Sequence, residues 1–275
     1  MAGVSSESLK AALAEVEPKL PTAPLSLANE LFGTLEALDG SAGLRRALTD
    51  PSRSAEEKSG LIRGLLAGKV SADAEQIVSS LAASRWADSR DIGDALETIA
   101  ATVAIAVAES KGAAAGGGAS GLEALENDLF AFNTVVGASH ELQRALVEPA
   151  AAPQQKAELA RKLVPSAGEE AQLLIRQAVV APRGVKPAKL VERFAELAAK
   201  RQERWIATVE VTRPLTDEQQ SRLQAGLNSL YGRELKVNTV VDPELIGGIR
   251  VKVGDEVVDA SMLTKLGELR RKLAG

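Results

Sequence analysis

The chain has 275 residues, of which 45% are apolar and only 3% aromatic, and its formal net charge is −4. This length allows two or three domains, and a core of alanine, leucine and valine favours packed helices over a sandwich or barrel. The acidic balance excludes a general nucleic-acid binder, and the absence of cysteine excludes disulfides, thiol catalysis and cysteine metal sites. A single histidine removes most metal and general-base schemes, so no catalytic, cofactor-binding or metal-ligating residue is assigned.

No stretch of the sequence predicts a secretion signal or a membrane span. The N-terminus lacks a basic region followed by an apolar core. The longest apolar run, residues 99–108, is about half of the ~20 residues that a helix needs to cross a bilayer. If the protein acts at a membrane, we expect partners to hold it there.

The first predicted element is an amphipathic helix over residues 5–17, with Leu9, Leu13 and Val16 on one face. Three prolines between residues 18 and 24 end this helix, because proline lacks the N–H donor and clashes inside helices. The apolar face allows two alternatives. It packs on the chain's own bundle, which is the commoner case, or it forms one side of a groove for a partner.

From residue 28 onward the chain repeats itself. Asn29–Phe32 recurs as Asn127–Phe130, and Leu44–Leu48 recurs as Leu142–Leu146, so the offset is 142 − 44 = 98 positions. The register continues without a gap over about seventy positions. A long internal duplication of this kind is typical of stacked helical units.

Each copy contains the patterns of four helices. In the first copy a leucine stripe over residues 27–38 marks one helix, and Ser54–Glu57 is a capping box that starts the next. A third helix follows, and a fourth runs from about residue 91 to residue 110. The second copy predicts counterparts, one of them with Pro153 in its first turn. These patterns are typical of a helical core and require no ligand.

A glycine- and alanine-rich segment, residues 112–121, separates the copies and is predicted to be a flexible linker. It does not match a phosphate-binding loop, because no strand precedes it and the lysine and hydroxyl residue of a P-loop do not follow. The second copy has no leading helix of its own. Our hypothesis is that Ala101–Lys111 doubles as that leading helix, and a helix break near Ile99 would contradict it.

After Lys200 the pattern changes from helical to alternating, which predicts a small helix-covered sheet. Residues 205–212 alternate as a strand, and Thr216–Gln219 is a second capping box that opens a helix. Residues 235–240 form another strand before a turn.

The last stretch predicts a strand, a turn, a second strand and a helix. Ile249–Val253 alternates apolar and basic residues, Gly254–Asp255 forms a turn, and Val257–Val258 returns as a short strand. Ser261 caps a final helix with an apolar stripe and a strongly basic side. Such a unit is typical of a docking module and not of a reaction centre.

The predicted fold class is α+β, mainly α, with two tandem helical-bundle repeats followed by a small C-terminal β-α-β-β-α domain. The predicted domains are residues 1–111 for the first copy, 112–121 for the linker, 122–203 for the second copy and 204–275 for the C-terminal α/β domain.

The terminal segment also resembles a known signature. It is similar to the C-terminal motif of the delta subunit of F-type ATP synthases, in which GG-[IV]-x-[VI]-x-[VI]-GD-x-[VI]-[IV]-D-x-S precedes a leucine-rich basic helix. The matching residues are Gly247, Gly248, Ile249, Val251, Val253, Gly254, Asp255, Val257, Val258, Asp259 and Ser261. From Leu122 onward the chain resembles a complete ordinary delta subunit, a homologue of the mitochondrial oligomycin-sensitivity-conferring protein, less its leading helix. With the extra copy it resembles the extended bacterial form, in which the helical domain is duplicated.

The resemblance implies a non-catalytic peripheral-stalk (stator) subunit of the proton-translocating rotary ATP synthase. It implies that the helical domain binds an amphipathic helix of an alpha subunit on the alpha/beta catalytic head. The C-terminal domain would bind the membrane-anchored b-type stalk, so that the chain resists rotor torque. The implied location is the cytoplasmic face of the bacterial plasma membrane, as a peripheral component, with no cofactor, nucleic acid or small-molecule substrate.

Two sets of contact residues follow from the resemblance by position. The set for the alpha subunit is Leu9, Leu13, Val16, Leu96, Ile99 and Val103. The set for the b-type stalk is Leu266, Leu269, Arg270 and Leu273. The alternatives are that the first set belongs to the internal core, and that the leucines of the second pack on the sheet while its arginine is solvated.

Two polar features and one rival function remain. His140 is predicted to be a surface or capping residue in a loop between helices, and Arg183–Gly184 with Lys186 and Lys189 is predicted as a solvated basic turn. That turn has binding of a phosphate or an acidic partner as its alternative. A free-standing helical-repeat adaptor unrelated to energy conversion would explain the duplication, but it would not explain the C-terminal signature.

Overall fold

The computed structural model describes residues 3–232, 235–242, 245, 248–254 and 256–259. The chain divides into two compact units: Met1–Lys111 with Ala124–Leu197, and Gly112–Glu123 with Ala198–Gly275. We call the first the helical unit and the second the sheet unit. Most of both repeat copies therefore lies in one unit.

The helical unit is built almost entirely from the predicted helices. The first copy contains α1 Val4–Val16, α2 Leu25–Asp39, α3 Ala42–Thr49, α4 Ala55–Leu66, α5 Ala72–Ala83 and α6 Asp91–Ala114. The second copy contains α7 Ser120–Gly137, α8 His140–Val147, α9 Pro153–Leu163, α10 Glu169–Val180 and α11 Pro187–Gln202. A 3-10 helix over Glu17–Thr22 carries two of the prolines after α1. The predicted helices are confirmed, and α3 and α8 are short helices that the sequence patterns did not predict.

The duplication extends to the hydrogen bonds that begin and brace α3 and α8. Ser41 Oγ caps α3 by accepting the N–H of Leu44 at 3.2 Å, and Ser139 caps α8 in the same way. Arg45 Nη1 donates to the carbonyls of the last two residues of α2, and Gln143 Nε2 donates to those of α7. The two copies thus share side-chain contacts as well as helix order, even where the residue type differs.

Helix α6 is the longest of the described helices, and it has contacts with both copies. It is unbroken from Asp91 to Ala114, so it has no break near Ile99. Its residues 103–109 are all buried, and a helix that is buried on every side lies inside a larger core. Near its end, Lys111 Nζ lies 2.5 Å from Glu170 Oε1 on α10. These contacts agree with the hypothesis that residues 101–111 also serve as the leading helix of the second copy.

The segment between the copies forms a tight turn in the sheet unit. Helix α6 ends inside this segment at Ala114, and α7 begins inside it at Ser120. Between them the N–H of Gly117 donates to the carbonyl of Gly112 at 3.0 Å. Gly116 has φ 74° and Gly118 has φ 54°, which side-chain-bearing residues rarely adopt. A Cβ on Gly112 would overlap the backbone of Gly121. Glycine at these positions therefore lets the chain reverse closely on itself.

The sheet unit contains a mixed four-stranded sheet. Its elements are β1 Ile206–Val211, α12 Asp217–Tyr231, β2 Lys236–Val241, β3 Ile249–Val253 and β4 Glu256–Asp259. The strand order is β2-β1-β3-β4, with β1 parallel to β2 and antiparallel to β3, and β3 antiparallel to β4. This confirms the predicted small sheet, including the short returning strand predicted at Val257–Val258, which is β4. The predicted terminal helix lies outside the described residues.

One face of the sheet is covered and the other carries polar pairs. Val209, Val251 and Leu227 of α12 belong to one buried cluster, which confirms the predicted inward face of β3. On the opposite face Arg250 Nη1 lies 2.7 Å from Glu210 Oε2, its direct cross-strand neighbour. The sheet therefore has the half-buried pattern that its alternating sequence indicates.

Candidate functional site

The first predicted contact set lies on α1 and α6 of the helical unit. Its half-buried members are Leu9 and Leu13, and its buried members are Val16 (3% exposed), Leu96, Ile99 and Val103 (each 0%). Burial in the chain's own core accounts for the second group without a partner. Contact between either group and another protein stays a prediction, and Leu9 and Leu13 are the members that a partner can reach directly.

Polar contacts fix the orientation of α1. Ser5 Oγ donates to Asp91 Oδ2 at 2.6 Å and accepts the N–H of Ala87 at 2.9 Å. Ser8 Oγ donates to the carbonyl of Arg85 at 2.7 Å. Because Ser5 is wholly buried, this arrangement locks the start of α1 against the start of α6. The face of α1 with Leu9 and Leu13 is therefore held in one position.

A shallow groove of about 370 Å³ lies between α1, α4 and α5. Its lining is largely polar, and Glu15 of α1 accepts the Ser80 hydroxyl at 2.5 Å across it. Lys19 Nζ lies 2.6 Å from Asp73 Oδ1 near the start of α5. Any segment that binds beside α1 must satisfy these polar groups as well as the leucine face.

The second predicted contact set lies outside the described residues. Its members are Leu266, Leu269, Arg270 and Leu273. Its assignment stays a prediction that rests on the family resemblance.

Arg183 is not a solvated basic residue, which corrects the sequence prediction. Its side chain is only 8% exposed and lies among three carboxylates of the first copy. Arg183 Nε lies 2.7 Å from Asp39 Oδ2, and Nη1 lies 2.7 Å from Asp94 Oδ1 and 3.8 Å from Glu97 Oε2. The side chain of Arg90 also donates to the Arg183 carbonyl. Arg183 thus joins the α10–α11 loop to the first copy.

The carboxylates around Arg183 outnumber it. Burial raises the pKa of Glu97 to about 7, and the Arg183 guanidinium lowers it less than burial raises it. Asp94 and Asp39 add to the increase because they are negative charges close by. Glu97 is therefore part-protonated near neutral pH, which limits the repulsion inside the cluster.

The backbone at Arg183 has an uncommon conformation that the sequence analysis did not predict. Arg183 has φ 51° and Gly184 has φ 80°. A non-glycine residue in the left-handed region is uncommon and is kept where the surrounding contacts require it. A Cβ on Gly93 of α6 would overlap the Arg183 guanidinium, so this glycine gives the arginine its space.

His140 lies at the surface as predicted, but in a helix and not in a loop. It is the first residue of α8, directly after the Ser139 cap, and its side chain is exposed. Among the described residues no group of three or more His, Asp or Glu side chains is arranged to hold a metal ion. In the same part of the chain, no helix combines the length and apolar character that crossing a bilayer requires.

Comparison with known proteins gives a consistent match over the whole chain. Residues 101–273 match the family described as "ATP synthase delta (OSCP) subunit". The chain is 70% identical to the "ATP synthase subunit delta" of an Arthrobacter species, 69% to that of Pseudarthrobacter chlorophenolicus and 64% to that of Renibacterium salmoninarum. Each match spans 275 residues and 100% of both chains. The family match starts inside α6, at the first residue of the segment assigned to both copies.

Proposed function

Because this chain belongs to the ATP synthase delta (OSCP) subunit family, we propose that it tethers the alpha/beta catalytic head to the membrane-anchored b-type stalk. Delta subunits are structural components of the peripheral stalk and do not catalyse the reaction. The subunit is peripheral, and it is membrane-associated through the complex. The proposed position is the cytoplasmic face of the plasma membrane, where the chain resists the torque of the rotor.

The observation that carries this proposal, beside family membership, is α6. A tether under torque must transmit load without bending, and close-packed interiors have low compressibility. Helix α6 runs unbroken through the helical unit and is buried over residues 103–109. Helix α6 contacts residues of both copies, so bending this helix would disrupt the packing of both copies.

The finer assignments are part of the proposal. Residues 1–111 and 122–203 form the two helical-bundle copies, with residues 112–121 as the linker between these copies, and residues 204–275 form the stalk-docking domain. An amphipathic alpha-subunit helix is proposed to bind along α1, where Leu9 and Leu13 are half-exposed. The b-type stalk is proposed to bind the terminal segment that contains Leu266, Leu269, Arg270 and Leu273.

The test is purification of the tagged protein from its own cells in a gentle detergent, with subunit masses and ATP hydrolysis as readouts. The full chain is expected to recover alpha, beta and b-type subunits with hydrolysis activity. A chain that ends at Lys200 is expected to keep alpha and beta and to lose the b-type subunit, since the docking domain is missing.

A reciprocal variant makes the test specific. Leu9→Glu with Leu13→Glu places charges on the half-exposed face of α1 and is expected to weaken alpha and beta recovery while b-type recovery persists. Loss of the same subunits from both variants would contradict the assignment of the head and the b-type stalk to different parts of the chain. Recovery of the full chain without synthase subunits would contradict the tether itself. A free-standing adaptor predicts that last result, but it does not account for full-length similarity to delta subunits.

A further inference from the structure

A groove of about 650 Å³ lies in the second copy, where the end of α7, α8 and the start of α11 meet. Its lining is mainly apolar. Val136, Leu146 and Pro187 are buried there, and Val147 is 49% exposed at the same corner. The volume is that of a pocket that accepts a few apolar side chains.

Three side chains that can carry positive charge line this apolar groove. His140, Arg144 and Lys186 are all exposed, and none of them forms an ion pair in the part of the chain that the structure describes. The neighbouring Lys189, by contrast, pairs with Glu192 at 2.8 Å. The groove therefore combines apolar surface with cationic groups that have no carboxylate partner within the described chain.

The duplication shows what such a corner binds in the first copy. The equivalent corner, 98 positions earlier, is formed by α2, α3 and the start of α6. There Asp39 accepts a hydrogen bond from Arg183 Nε, and Arg90 donates to the Arg183 carbonyl. The first corner is thus covered by the α10–α11 loop of the second copy, as in a repeat array where each unit covers its neighbour. After the second copy the chain continues into the sheet unit and not into a third copy.

The second corner lacks two carboxylates that the first corner has. Asp39 in the first copy corresponds to Gly137 in the second, and Asp88 corresponds to Lys186. The carboxylate that pairs with Arg183 in the first corner therefore has no equivalent in the second, where Lys186 adds a positive charge. An arginine-bearing loop from another copy of this chain is disfavoured at the second corner for that reason.

We propose that the α7–α8–α11 groove binds an amphipathic helical segment of another protein chain that carries carboxylates beside its apolar stripe. Apolar side chains at i and i+3 or i+4 would enter the groove, and the carboxylates would pair with Arg144 and Lys186. The proposal goes beyond the stator role, because it concerns a surface distinct from the α1 face and does not depend on which subunit supplies the segment.

The test uses the full-length chain and a fluorescent peptide of about 18 residues, which is long enough to form a helix. The peptide has leucines at helical spacing flanked by glutamates, and a second peptide has every glutamate replaced by lysine. Fluorescence anisotropy is expected to show binding of the glutamate peptide that is about tenfold or more tighter than binding of the lysine peptide.

Variants locate the binding. Arg144→Glu with Lys186→Glu is expected to weaken binding of the glutamate peptide by about tenfold or more. The matched control is Arg46→Glu with Lys69→Glu, which changes the net charge equally at two other exposed residues of the helical unit that form no ion pair among the described residues. Arg46 is the repeat equivalent of Arg144, and circular dichroism checks that both variants stay helical.

Each other outcome overturns the proposal. Equal weakening by the control pair would show general charge attraction in place of a site. Equal binding of both peptides, or binding of neither, would remove the carboxylate-bearing helix as the occupant. Self-association of the chain that disappears in the Arg144→Glu, Lys186→Glu variant would make a second copy of this chain the occupant. Because these assays need no synthase subunit, their failure leaves the tether proposal standing.

Discussion

Replacement of Arg183 by methionine tests whether the buried cluster holds the two copies together. Methionine keeps most of the side-chain length and, like arginine, has a Cβ, so the left-handed backbone at this position is strained equally before and after the change. What changes is the charge. Asp39, Asp94 and Glu97 then lose the positive charge of the guanidinium. A carboxylate oxygen of Asp39 and one of Asp94 each lie 2.7 Å from a guanidinium nitrogen in the unchanged chain.

The expected loss follows from the burial of these groups. Removal of one partner from a buried ion pair costs about 3–5 kcal/mol, because the remaining charge is left without compensation. Asp39 and Asp94 have side chains that are 31% and 35% exposed, so water solvates them in part. We therefore expect the lower end of the range, a loss of about 3 kcal/mol in the free energy of unfolding of the helical unit at pH 8.

The assay is urea unfolding followed by the fluorescence of Trp86, a buried residue of the helical unit, with Trp205 replaced by phenylalanine in all proteins. The control is Arg85→Met, since Arg85 occupies the same repeat position in the first copy and its side chain is exposed. Its expected change is within about 0.5 kcal/mol. Equal losses for Arg183→Met and Arg85→Met would refute the conclusion that the cluster joins the copies.

Two further predictions concern the same unit. Folding raises the pKa of Glu97 to about 7 from its ordinary 4.5, so the folded chain keeps a proton that the unfolded chain has released between these pH values. The free energy of unfolding should therefore fall as pH rises through this window, by up to about 3 kcal/mol because a pKa difference of one corresponds to about 1.4 kcal/mol. Urea titrations from pH 4.5 to 8 should show a flatter profile for Glu97→Gln, and parallel profiles would assign the slope to other groups. Ser54→Ala removes the hydroxyl that accepts the N–H of Glu57 at the start of α4 and should lower stability by about 1 kcal/mol. Ala152 occupies the equivalent position before α9 and provides no side-chain cap, so Ala152→Ser should raise stability. The assay is thermal unfolding, and midpoint temperatures that shift in the same direction for both variants would contradict the capping argument.

The longer helices could be predicted because their apolar spacing and their caps are both local signals. Ser54–Glu57 and Thr216–Gln219 form the predicted capping boxes, with reciprocal bonds in each. The short helices α3 and α8 were missed because eight residues with one buried leucine each give no usable period. Their serine caps, Ser41 and Ser139, were the available local signal.

The Arg183 cluster could not be predicted in the same way. Asp39 lies 144 positions from Arg183, and the pairing depends on how the second copy packs on the first. Locally, Arg183 precedes a glycine and two nearby lysines, which is the composition of an exposed turn.

The contact set on α1 and α6 shows a related limit. An apolar helix face has the same pattern whether it enters the chain's own core, as Leu96 and Ile99 do, or binds a partner.

Because α6 has contacts with both copies, its length limits how this architecture can change. A helix advances about 1.5 Å and turns about 100° per residue, so the number of residues in α6 fixes the angular phase between the elements packed at its two ends. An insertion of one residue near Ile99 would turn the second copy by about 100° away from the surface that receives Arg183, whereas seven residues would nearly restore the phase. We therefore expect insertions and deletions to occur in the turns between helices. Insertion or deletion of a single residue within α6 is expected to disrupt the packing between the copies.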